Sequence, residues 1–260
     1  MKKEKFRVFR LFMTDMRRAV CSPQFCLGVA GVSALMLAAV FGIQSSVESV
    51  WSLMRLATQG SGFESIELCV FPVFAYGMSY ALEWEQKVQR FLLIRSGVTE
   101  YMISKLTACF LSGFLTVFLG LAVFIVLWCP FYPLYDHPIS SFRYEELMLE
   151  GKILEGYLYY MVHQGITGGI SAVCGAWIST IRPNQFAAAS APLVLYFCLL
   201  RVAEGLAIPE ALKPLYWEAD IYDGSTAGET LLIKIGISAV LCVVMGFCAL
   251  INAKRRLLRE

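Results

Sequence analysis

The hydrophobic positions of this chain fall into long, almost uncharged runs rather than into the short alternations of a soluble fold. Residues 25–43 carry no charge. Residues 66–82 carry only Glu67, and 106–129 carry none. Residues 156–181 are interrupted only by His163 and Gln164, residues 186–207 hold Arg201 and Glu204 late, and 231–253 hold Lys234 early. A helix rising 1.5 Å per residue needs about 20 apolar residues to cross the hydrocarbon layer. The pattern therefore predicts an all-α, polytopic membrane protein of about six transmembrane helices, with 66–82 the shortest. Pro72 and Pro192 are expected to kink the second and fifth spans.

Between the runs the pattern changes period. Phe6, Phe9, Met13, Met16 and Val20 repeat every three or four residues, while Lys3, Arg7, Arg10, Thr14, Arg17 and Arg18 fall on another face. This predicts a basic amphipathic helix lying in the membrane interface. It reads equally as a topology anchor or as a lever beside a cytoplasmic partner. A second amphipathic stretch precedes the third span. There Val88, Phe91 and Leu92 share an apolar face, Ser96-Gly97 breaks the helix, and Thr99 is the expected N-cap of the next one. This knob either docks into a partner's groove or rests on the membrane. The remaining connections are 44–62, rich in Ser and Gly; 130–155, opening with three prolines and running as a charged helix from Arg143; the turn 182–185, where Pro183 stops the fourth helix; and 208–230.

Charge orients the chain. Of 22 Lys and Arg residues, sixteen lie in 1–24, 83–105, 182–185 and 254–260. The opposite side holds only Arg55, Arg143, Lys152 and Lys213. The acids run the other way. By the positive-inside rule the basic side, with both termini, faces the cytoplasm. The basic N-terminal region is too long for a cleavable signal peptide. Composition agrees: 58% of residues are hydrophobic and 16% charged, with a mean hydropathy of +0.63, against about 25% charged in soluble domains. The net charge of +2 gives no reason to expect nucleic acid. Nine scattered cysteines without a CxxC pair exclude a disulfide scaffold and a zinc motif.

Candidate chemistry is sparse. Arg201 and Glu204, three residues apart, share a helix face and lie in the outer part of the fifth span. They are either a snorkelling pair or part of a translocation path or gate. His163 and Gln164 are expected to make interhelical hydrogen bonds or to contact substrate. Gly165, Gly169, Ala172 and Ala176 form small-xxx-small pairs for close helix packing. No phosphate-cradling GxxxxGK[ST] and no HExxH occur, so no catalytic, cofactor-binding or metal-binding residue is assigned.

Acids at the inner end of the second span, then Phe91-Leu92-Leu93, the break at Ser96-Gly97, and Tyr101-x-x-Ser104-Lys105 opening the third span resemble the type-2 ABC exporter permeases. The resemblance covers the architecture of the whole chain and about twenty residue positions. It implies that 1–24 is a connecting helix, that 25–253 is a six-helix transmembrane domain with a coupling loop at 83–105, and that 254–260 is a basic tail. It further implies that Glu83, Glu85, Arg90, Arg95, Tyr101 and Lys105 contact a separate ATPase subunit, which binds the ATP. The other partners are a second permease subunit and membrane lipid. Many relatives carry proline near the break, where this chain has Arg95-Ser96-Gly97. Alternatives are an ion-coupled carrier or channel, an intramembrane hydrolase, and a non-transporting scaffold or immunity protein.

Overall fold

The structure, a computed structural model, describes residues 2–42, 47–59, 64–136, 143–205, 213 and 226–259. Among the described residues all regular structure is helical: α1 (Lys2–Val20), α2 (Pro23–Val40), α3 (Val50–Gln59), α4 (Glu64–Cys69), a π turn (Val73–Gly77), α5 (Ser79–Glu85), α6 (Gln89–Ser96), α7 (Val98–Trp128), α8 (Arg143–Leu149), α9 (Ile153–Ile181), α10 (Gln185–Gly205) and α11 (Ala227–Arg259). Four of them, α2, α7, α10 and α11, are long and apolar enough to cross a membrane. The bent pair formed by residues 65–77 and 79–85 makes a fifth if counted as one span.

Local signals set most boundaries. Ser22 caps α2, its Oγ accepting from Phe25 N at 3.1 Å, with Pro23 where no amide is needed. Asn184 Oδ1 accepts from the amides of Phe186 and Ala187 and starts α10 just after α9 stops at Pro183. The expected cap at Thr99 is a correction: α7 begins at Val98, and Gly97 precedes it at φ +85°, a conformation that a side chain at this position would strain. The kink expected at Pro72 falls later in the segment, after the π turn that Pro72 precedes. The missing amide is followed by the π turn, and the axis bends by 43° between Gly77 and Ser79. Pro192 lies inside the continuous helix α10.

Two connections are more than loops. Within 44–62, α3 folds back into the protein, with Trp51, Leu53, Met54 and Ala57 fully buried. Ser49 caps it, and its first free amides, Val50 N and Trp51 N, donate to the carbonyls of Pro133 and Leu134. The charged helix expected from Arg143 is two helices. Gly151, at φ +84°, ends α8 and turns the chain into α9. α8 packs inward through Tyr144, Glu145 and Met148. Residues 208–225, apart from Lys213, lie outside the described residues.

The fourth expected span, now α9, is the centre of the molecule. It is 29 residues long but does not reach the apolarity of the other spans. It packs against α4, the π turn, α5, α7, α8, α10 and α11. A helix surrounded by protein can carry Gly, Ser, His and Gln, because its polar groups find partners and lipid never reaches them. α10 and α11, at the rim, are the least buried of the spans and the greasiest outside.

The closest helix crossing is α7 on α9. A Cβ on Gly113 would lie 2.6 Å from the Gly168 carbonyl oxygen, and one on Gly168 would lie 2.9 Å from that of Gly113. Gly165 and Gly169 instead receive the rings of Phe114 and Phe110. Of the small residues read from the sequence, these two accept aromatics, and Gly168 with Gly113 makes the backbone contact. Gly113→Leu is expected to push the helices apart and cost about 1–3 kcal/mol, read as a lower unfolding midpoint in detergent. An unchanged midpoint would mean the crossing is looser than described.

Candidate functional site

Polar side chains concentrate in two buried clusters, one at each end of the α7–α9 pair. The first sits at the basic end, where α1, the π turn, α5 and the start of α7 meet. Asp15 of α1 is 7% exposed and accepts from Tyr76 Oη at 2.8 Å and from Ser104 Oγ at 2.6 Å. One turn along α1, Arg18 reaches Glu83 Oε1 at 3.6 Å. Glu83 Oε2 takes the Lys105 ammonium at 2.6 Å and the hydroxyl of Tyr101. Lys105 also lies over the rings of Tyr76 and Tyr101, 5.3 and 5.1 Å from their centroids. Two acids face two cations, and every acid has a hydroxyl donor. Asp15 pins α1 to the spanning helices. The outward face of α1 bears Phe9 and Met13, more than half exposed, while Met16 packs inward against the cluster of Ala19 and Tyr76, so the apolar stripe read from the sequence divides between the two sides.

The second cluster sits at the opposite end, among α3, α8, α9 and α11. His163 is fully buried, with Nδ1 2.9 Å from Tyr144 Oη and Nε2 3.3 Å from Lys234 Nζ. Lys234, as an ammonium, can only donate. Nε2 must then accept, which puts the ring proton on Nδ1, donating to Tyr144. Trp51 Nε1 donates to Glu145 Oε1 at 3.0 Å. Thr58 and Tyr160 hydroxyls are bonded, and Arg55 lies over the rings of Tyr160 and Trp51. Arg55, Glu67, Glu145 and Lys234 are all at least nine-tenths buried. Like the first, this cluster ties together segments distant in the chain: the short helices α3 and α8 to the long helices α9 and α11.

The chain matches no known protein family, no curated protein and no solved structure.

The residues singled out in the sequence separate into three groups. Glu83, Tyr101 and Lys105 come together, but inside the protein, where they bond to one another. Glu85 is exposed and accepts from Gln185 Nε2 at 2.7 Å, linking the end of α5 to the turn before α10. Arg90 and Arg95 belong to α6, and their side chains lie outside the described residues. The apolar face expected of the knob divides. Leu92 packs against the cluster of Tyr80, Tyr101 and Met102, while Phe91 is 75% exposed and Val88 also faces out. His163 and Gln164 are both fully buried on α9. Arg201 is exposed on α10, and the Glu204 side chain lies outside the described residues.

The residues that sequence reasoning missed are Asp15, Tyr76 and Ser104 in the first cluster, and Trp51, Arg55, Tyr144, Glu145 and Lys234 in the second. An acid within a basic helix reads as a solvated charge, and Lys234 near a span's start reads as a snorkelling one. A usable signal existed in α3. Its run Trp51–Thr58 is too apolar for a Ser/Gly-rich loop, which points to a buried helix.

Proposed function

We propose that this chain is the membrane-spanning subunit of a type-2 ABC exporter. It moves its substrate on ATP hydrolysed by a separate ATPase subunit and pairs with a second permease subunit. In this reading α2, the bent segment 65–85, α7, α9, α10 and α11 are six spans, the basic end faces the cytosol, and both termini lie there. The membrane is the bacterial cytoplasmic membrane. α1 is the connecting helix, and the α5–α6–α7 hairpin is the coupling element.

One observation carries the reading: Phe91 stands exposed on a short helix whose base is locked into the spans. Leu92 is packed inward, and the Glu83–Lys105 pair joins α5 to α7 just below the hairpin. A force on Phe91 from a cytosolic partner therefore reaches α7 directly, and through Asp15 it reaches α1. Glu83, Tyr101 and Lys105 then act as positioning residues behind the contact. Glu85, Phe91, Arg90 and Arg95 are the proposed contact itself.

The test is co-purification of a separate ABC ATPase subunit with the full chain from detergent-solubilised membranes. Phe91→Glu is expected to lower ATPase recovery at least tenfold, since a docked aromatic anchor is worth about 2 kcal/mol or more, with membrane insertion unchanged. Undiminished recovery would remove α6 as the docking element. A second reading, an ion-coupled carrier, is favoured by the buried Lys234–His163 pair, since ionisable groups inside spans often mark ion paths. Proton uptake by liposomes holding this chain alone would decide for it.

A further inference from the structure

Between α7 and α11 a groove of about 690 Å³ opens on the outer face of the helices. Its walls are Leu106, Phe110 and Phe114 of α7 and Ala239, Val243 and Gly246 of α11, with Ile166 and Val173 of α9 as the floor. The glycines of α9 that receive Phe110 and Phe114 set these rings against the floor. The lining is almost wholly apolar. Residues 103–114 of α7 run about 16 Å and residues 235–250 of α11 about 22 Å along it, both short of the ~30 Å hydrocarbon thickness. A spanning helix from a second copy is longer than this groove. One extended acyl chain fits it.

The groove starts at the basic end. Lys254 lies four residues beyond Leu250 and so on the same helix face, and Arg255 follows; both are exposed. Arg256 is engaged otherwise, donating to the Ile181 carbonyl at 2.6 Å and lying over Trp84. One exposed cation, Lys254, thus stands at the basic end just above the mouth of an apolar slot, while Arg255 falls about 100° further round α11 and away from the slot. We propose that the α7–α11 groove is a binding site for a single anionic phospholipid, with one acyl chain in the groove and its phosphate on Lys254. The proposal does not depend on the transport reading.

The experiment is native mass spectrometry of the full chain in detergent, with phosphatidylglycerol or phosphatidylcholine added. The wild type is expected to retain one phosphatidylglycerol in preference to phosphatidylcholine. Ala239 is exposed in the groove, so Ala239→Phe puts a ring where the chain lies, and retention of either lipid is expected to fall at least tenfold. Lys254→Glu leaves the packing alone and is expected to lower the phosphatidylglycerol preference about fivefold, since the attraction at the surface is electrostatic. Equal retention by wild type and Ala239→Phe overturns the site. So does a lipid-free dimer that Ala239→Phe dissociates, because the occupant is then a second copy.

Discussion

Lys105→Met is expected to lower the unfolding free energy by about 3–5 kcal/mol, the cost of removing one partner from a buried ion pair. Methionine nearly matches the shape of lysine, so little packing is lost. What remains is Glu83, a buried carboxylate without its 2.6 Å ammonium partner. Arg18 stands 3.6 Å away with its side chain 57% exposed, too solvated to replace it. Tyr101 can still donate one hydrogen bond to Glu83. Adding Glu83→Gln to Lys105→Met removes the orphaned charge and is expected to recover most of the loss. Equilibrium unfolding in mixed micelles measures all three variants. A single-variant cost below about 1 kcal/mol, the value of a surface pair, would show that water reaches the pair.

His163→Leu is expected to cost about 3 kcal/mol by removing the acceptor of one buried charged donor, Lys234, and the donor to one buried hydroxyl oxygen, Tyr144. Lys234 loses the acceptor 3.3 Å from its ammonium, and Tyr144, itself fully buried, loses its ring partner. His163→Gln keeps a carbonyl that can accept from Lys234 and is expected to retain most of the stability. Adding Lys234→Met to His163→Leu removes the stranded ammonium and is expected to restore part of what His163→Leu loses. The same unfolding assay reads these variants. If the leucine and glutamine variants are equally stable, the imidazole fills space and no more.

Spans that face lipid were legible because they have no choice of composition. α2, α7, α10 and α11 read as apolar runs and appear as helices close to the expected ranges. The turn at Pro183 and the break at Ser96-Gly97 were legible for local reasons, a missing amide and a residue that accepts positive φ. α3 was read as part of a loop, and α8 as one charged helix continuous with the fourth run. Helices of ten and seven residues that fold back against α9 need partners, and no local pattern announces a partner.

The candidate site was half legible. His163 stood out as a polar group inside an apolar run, while Glu83, Tyr101 and Lys105 were named only through the resemblance, as a contact to an ATPase. Their actual partners, Tyr144, Lys234 and one another, could not be read. Separations of 71 residues from His163 to Lys234 and 89 from Asp15 to Ser104 leave no trace of the contacts in the local sequence.

By itself the sequence determined that the chain is helical, that several of its helices are greasy enough to cross a bilayer, and that most of its Lys and Arg gather in 1–24, 83–105, 182–185 and 254–260. Hydropathy and charge are sums over residues, and sums need no contacts. Only the tertiary structure decided that α9, which falls short of the hydropathy of α2, α7, α10 and α11, is the central helix, and that charges beside the apolar runs are paired inside. Burial cost depends on which donor meets which acceptor, and that is settled only when the helices pack.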